Sequence, residues 1–150
     1  PLELSLESSS FNSLVKWTVE QINEEHVMWA PVTAPLIKKE TFCKALQTYF
    51  EMPKHFDSLI SVRKLTRYLL DTNGPLNFRH NGSERNFTKL PTLYEYVNAI
   101  NLAPTLSMKK WQYNWGQIPY QFELNQIEGK EICDIVDYKI VSLIDTYWKE

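Results

Sequence analysis

A chain of 150 residues with 43% apolar and 13% aromatic side chains is the size of one domain and has enough apolar surface for a buried core. Four glycines and eight prolines exclude a collagen-like or low-complexity chain, and no apolar run nears the roughly 20 residues that cross a bilayer. The net charge of −2 is unevenly laid out: residues 1–37 sum to −4, residues 38–110 to +6 and residues 111–150 to −4. A basic middle between acidic ends makes a one-sided field where folding gathers the cations, and an ordinary hydrated surface where it scatters them.

Pro1 in place of an initiating Met fits an excised domain or a processed chain, and Pro1–Ser10 lacks the basic start and long apolar stretch of a signal peptide. Cys43 and Cys133 lie far apart and outside any CxxC pair. They read as buried structural thiols of a reducing compartment, so the expected location is nuclear or cytoplasmic. Asn81-Gly82-Ser83 and Asn86-Phe87-Thr88 match the glycosylation sequon, a triplet that often arises by chance.

The first predicted helix follows the hydroxyls Ser8-Ser9-Ser10, with Phe11, Leu14, Val15, Thr18, Val19 and Ile22 at three- and four-residue spacing. Ala30–Pro35, with two prolines, reads as a connection. Thr41 is positioned to cap a second helix whose apolar face is Phe42, Ala45, Leu46, Tyr49 and Phe50, and Met52-Pro53 ends it. A third helix is expected from Leu59, Val62, Leu65, Thr66, Leu69 and Leu70, closed by Asn73-Gly74. Asn81-Gly82, between Leu76–His80 and Ser83–Phe87, is a strong hairpin signal because a type I′ turn needs positive φ at both central positions.

Pro91 suits the first turn of a short helix carrying Leu93, Tyr94, Val97 and Ile100. Trp111, Tyr113 and Trp115 alternate, then Gly116-Gln117, then Ile118, Tyr120, Phe122 and Leu124 alternate, which reads as an aromatic hairpin. The last helix shows the clearest pattern, with Ile132, Ile135, Val136, Ile140, Leu143, Ile144 and Tyr147 along one face. The expected class is α+β with helices dominant, in one domain spanning 1–150.

Helix, helix, short turn at Met52–His55, helix, then the hairpin Arg79-His80-Asn81-Gly82-Ser83-Glu84-Arg85 is an order that resembles winged helix-turn-helix domains over about residues 11–87. The resemblance implies a recognition helix at about Phe56–Leu70 whose polar face carries Arg63, Lys64 and Arg67. It places Arg79, His80, Arg85 and Lys89 beside a wing, with polar contacts from Asn77 and Asn81, and leaves residues 90–150 as an elaboration packed on residues 11–89. Cations so placed neutralise phosphates and release counterions. The expected function is a non-catalytic module that binds DNA or RNA or docks within a nucleic-acid-handling assembly. The alternative is a protein adaptor with no nucleic-acid contact, for which Trp111 and Trp115 are the candidate anchors and Trp17 and Trp29 the other tryptophans that could join them.

Chemistry finds little support. His26, His55 and His80 are isolated, and adjacent helical residues such as Glu24-Glu25-His26 diverge by about 100° each. No HExxH, Cys/His cluster, glycine-rich phosphate loop or GxSxG elbow occurs. Cys43 has no local partner, and Asp134 and Asp137 lie opposite the apolar stripe of the last helix. No metal, cofactor, small-molecule substrate or membrane is expected; a small enzyme without a recognisable motif stays as a second alternative.

Overall fold

The computed structural model describes residues 10–79 and 90–147. In chain order the elements are α1 (Phe11–Glu20), β1 (His26–Trp29), α2 (Lys39–Glu51), β2 (Ser58–Leu65), β3 (Leu70–Asp71), β4 (Gly74–Pro75), β5 (Leu93–Pro104), α3 (Thr105–Trp111), β6 (Pro119–Leu124) and α4 (Ile135–Tyr147). The class is α+β, and helices do not dominate: 34% of the described residues are helical and 27% are strand.

A four-stranded mixed sheet, ordered β1-β5-β2-β6, organises the chain. β5 runs antiparallel to both β1 and β2, while β6 lies parallel to β2. α2 covers one face, where Ala45 and Tyr49 meet Leu59, Leu102, Phe122 and Leu124. α1 and α3 cover the other face at its β1 end, packing Val15, Val19 and Met108 on Val27 and Ala103.

Several sequence signals are realised as expected. The Ser10 side chain accepts the Ser13 N–H and starts α1. α2 stops at Met52, which is extended at φ −62° and ψ 152° before Pro53. The alternating Tyr120, Phe122 and Leu124 form a strand whose even positions enter the core. Capping of α2 differs from expectation. Its cap residue is Lys38, and the anion at this helix start is the buried Glu128, about ninety positions away. Glu128 Oε1 accepts from the Lys38 N–H (3.0 Å) and the Thr41 hydroxyl (2.7 Å), and Oε2 from the Asn125 amide (2.8 Å).

The expected recognition helix is instead the strand β2. Its first five residues, Ser58 to Val62, are all buried, as befits a central strand covered on both faces. A short apolar run of this kind fits a buried strand as well as a helix turn, so periodicity alone misassigned it. The helix-turn-helix order of a winged helix is therefore not the order found here. Asn73-Gly74 closes no helix; it belongs to the small β3–β4 hairpin, where Gly74 takes φ +128° and the Asp71 carboxylate accepts the Asn73 and Gly74 N–H groups.

The short helix expected after Pro91 is the strand β5. Ile60 pairs with Asn101 but Val62 pairs with Tyr96, so β5 bulges outward between those positions. The extra residues reverse the alternation. Val97 and Ile100 both reach the α2 side three positions apart, which imitates helical spacing. Ser61 closes the bulge: its hydroxyl donates to Val97 O (2.7 Å) and accepts the Ile100 N–H (2.8 Å).

The aromatic hairpin is also replaced. Trp111 ends α3, Gln112 turns the chain at φ 54°, and the second arm becomes β6 against β2. α4 forms where expected but turns only Val141 fully inward, leaving most of the predicted apolar face exposed. Cys43 and Cys133 are both exposed, not buried. The Asn81-Gly82 turn, His80, Arg85 and Lys89 lie outside the described residues.

Candidate functional site

Strand geometry decides which of the expected cations can act together. Neighbouring side chains on β2 point to opposite faces, so Arg63 and Lys64 separate instead of sharing a helix side. Arg63 turns to the α2 face beside the backbone of Gly129 and forms an ion pair with its cross-strand partner Glu95, with Nε at 3.0 Å from Oε2. It is committed to the fold. Lys64 points the other way, exposed, opposite Tyr94 on β5.

Beyond β2, Arg67 is exposed and its carbonyl accepts the Asn77 amide at 2.8 Å. Asn77 also accepts the Leu69 N–H and is buried, so it braces this loop instead of offering polar contacts. Arg79 is exposed at the end of the described segment.

The face carrying Lys64 is buried at Ile60 and Val62 and opens towards the Lys64 end of β2. Among the described residues α1 and α3 cover its β1 side, and the side chains that this face exposes in whole or part are Gln121 and Glu123 from β6, Lys64 from β2, and Tyr94 and Tyr96 from β5. Tyr94 is 39% exposed and Tyr96 37%, high values for rings on a strand and sufficient to leave part of each ring facing solvent. The loop after α3 adds Tyr113 and Trp115, both half-buried. Trp29, Phe11, Tyr113, Trp115 and Tyr96 then form an unbroken row, with successive ring centroids 5.8, 5.5, 5.6 and 5.7 Å apart.

A cluster of amides lies under this row. The Tyr96 hydroxyl is 3.0 Å from Asn98 Oδ1 and 3.0 Å from Asn101 Oδ1, and the Asn101 amide donates to Asn98 Oδ1 at 3.0 Å. Asn101 and Asn114 are fully buried. Burial pushes the Tyr96 phenol up to about 12, against the opposing pull of the Asn114 and Asn101 amides, so the ring stays a neutral donor at ordinary pH. Two buried polar atoms among the described residues have no protein partner, Asn114 Oδ1 and Trp115 Nε1, and both belong to this cluster.

The two candidate tryptophans part company. Trp111 packs against the α1–α3 core, whereas Trp115 stands in the aromatic row beside Tyr96. Trp17 is 40% exposed on α1, away from that row's ring contacts. Sequence reading found Lys64 and Trp115 but missed Tyr94, Tyr96 and the asparagines. The i, i+2 spacing of Tyr94 and Tyr96 was their signal, obscured by the bulge that follows it.

For chemistry, no group of three or more His, Cys, Asp or Glu side chains among the described residues is placed to hold a metal ion. His26 is exposed at the end of β1, with Nδ1 2.8 Å from the hydroxyl of the buried Tyr49. Asp134 accepts the Val136 and Asp137 N–H groups and starts α4. No helix among the described residues is long and apolar enough to cross a membrane. No protein-family model matches the chain, and no curated protein matches it either.

Proposed function

We propose that this chain is a non-catalytic module that binds single-stranded nucleic acid on the open face of its sheet. The observation that carries the reading is the grouping of Lys64, Tyr94 and Tyr96 on one side of the β2–β5 ladder, next to Trp115. Unpaired bases stack on exposed rings, and a cation beside them meets the phosphate chain. Arg67, exposed just beyond the end of β2, is a second cation of this region, and Glu123 is the carboxylate on the same face as Lys64. The basic middle of the sequence thus contributes through a strand and its following loop, with Arg63 excluded by its ion pair.

Fluorescence anisotropy with labelled single-stranded oligodeoxythymidine and oligouridine, at two salt concentrations, tests this. The expected outcome is binding that weakens steeply with salt and that Tyr94→Ala lowers about tenfold, within the range for losing one stacked base. Absence of binding at low salt, or binding indifferent to Tyr94→Ala and Lys64→Ala alike, overturns it.

A further inference from the structure

The tip of the β3–β4 hairpin sets a backbone requirement against a chemical one. Asp71 pairs with Gly74, so Thr72 and Asn73 alone span the turn. Gly74 takes φ +128°, a conformation that any side chain would strain, and the turn therefore calls for glycine there. That residue places an uncrowded amide nitrogen directly after an asparagine, one of the thermolabile side chains. Asp71, Thr72 and Asn73 are exposed, and a β-carbon at Gly74 would meet no described residue within 4 Å beyond its chain neighbours. Nothing described screens this peptide from water.

We infer that Asn73 is a site of hydrolytic modification, converted to aspartate and isoaspartate through a cyclic imide. The Gly74 nitrogen attacks Asn73 Cγ and forms a C–N bond that closes a five-membered ring. The Cγ–Nδ2 bond breaks, hydroxide takes the Gly74 proton, and Nδ2 leaves as ammonia after gaining a proton from water. Water then opens the ring. Breaking the new Cγ–N bond leaves aspartate at position 73; breaking the bond between Gly74 and the main-chain carbonyl of residue 73 routes the chain through Cγ. Asp71 Oδ1 accepts the Gly74 N–H at 3.0 Å, but that bond lies in the peptide plane, whereas the nitrogen attacks perpendicular to it. Both products add a carboxylate beside Asp71, and the isoaspartate form also lengthens a two-residue turn. Among the described residues β3 and β4 pair with each other and not with the four-stranded sheet, so the change stays at the hairpin. The inference is independent of the nucleic-acid reading, since it uses none of the side chains of the open sheet face.

Incubation of the whole chain at neutral and at mildly alkaline pH, followed by peptide mapping with fragment-ion mass spectrometry, is the test. The expected result is a mass gain of about 1 Da at Asn73, in two chromatographically separate products, that builds up faster at the higher pH. It should proceed at least tenfold faster than at Asn23, an equally exposed asparagine whose successor Glu24 carries a side chain. Fragment ions distinguish it from change at Asn81, which also precedes a glycine. Gly74→Ala is expected to slow the gain at Asn73 at least tenfold. An Asn73 that stays intact, or that changes no faster than Asn23, overturns the inference. So does an undiminished rate in Gly74→Ala. Should Gly74→Ala lose the hairpin, the comparison of Asn73 with Asn23 in the parent chain decides.

Discussion

The Asp57 carboxylate occupies the space that a side chain at Gly116 would need: a β-carbon there would lie 2.4 Å from Asp57 Cγ and Oδ2. Asp57 uses that proximity to accept the Gln117 N–H at 2.7 Å and the Ile118 N–H at 3.0 Å, and it also accepts the Ser58 hydroxyl. Gly116 in turn donates its own N–H to Ser58 Oγ at 3.0 Å. One short segment before β2 thus fixes the loop that carries Asn114 and Trp115 onto the sheet.

Gly116→Ala is therefore expected to be destabilising by about 1–3 kcal/mol, because the new methyl must displace a carboxylate held by three hydrogen bonds. A denaturant titration reads the loss as a lower midpoint at unchanged slope. Trp115 fluorescence should change as well, since its loop is the part displaced. A midpoint equal to that of the parent chain would contradict the packing described for this loop.

Ser61→Ala removes the hydroxyl that closes the β5 bulge and leaves the Val97 carbonyl and Ile100 N–H without that partner in a fully buried site. The expected loss is about 2–4 kcal/mol, since each stranded buried group costs about 1–3 kcal/mol and partial relaxation recovers some of it. Amide exchange resolves the position: protection at Ile100 should fall further than at Leu102, which lies beyond the bulge and pairs with Leu59. Uniform loss of protection along β5 would mean that Ser61 does not act locally.

The bulge also shows what could and could not be read from the letters. α1, the end of α2 at Met52-Pro53, β6 and the position of α4 follow from local signals that their tertiary surroundings reinforce. β2 and β5 do not, because the parity of their side chains depends on each other. Val97 and Ile100 look helical only while their pairing with Ser61 is unknown. The cations suffered the same error: at Arg63 and Lys64 a helix would join what a strand separates. Glu128 as the anion at the start of α2 is a contact across about ninety residues that no window of sequence contains.

Two titrations bound the pH range of the fold. Burial raises the Tyr49 phenol to about 12, so as pH rises past the ordinary tyrosine value of 10 the unfolded chain ionises first. This contribution is complete below about 10 and is lost progressively towards about 12, with Tyr96 adding in the same direction. The Asp137 carboxyl lies below its ordinary 3.8, held there first by the Lys130 ammonium and then by the Cys133 N–H. Its contribution is complete above the ordinary carboxylate value and disappears as pH falls through the lowered one. Thermal midpoints against pH should show both declines, with Tyr49→Phe flattening the alkaline limb and Asp137→Asn the acid limb. Unchanged limbs would assign the declines to other groups.

The sharpest separation of the open-face reading from a diffuse basic surface comes from two adjacent residues. Arg63 and Lys64 carry the same charge one position apart, so any mechanism that counts only net charge treats their loss alike. The strand does not. Arg63→Ala breaks the pair with Glu95 on the α2 face and should lower stability while leaving the salt dependence of oligonucleotide binding nearly unchanged. Lys64→Ala removes an exposed cation opposite Tyr94 and should leave stability within about 0.5 kcal/mol of the parent. In the plot of log affinity against log salt it should reduce the slope by about one phosphate contact. Paired measurements of stability and salt slope on the two variants give a crossed pattern if binding is confined to the tyrosine-bearing face. Equal slopes for the two would show that the oligonucleotide senses the chain's overall charge and does not lie along β2 and β5.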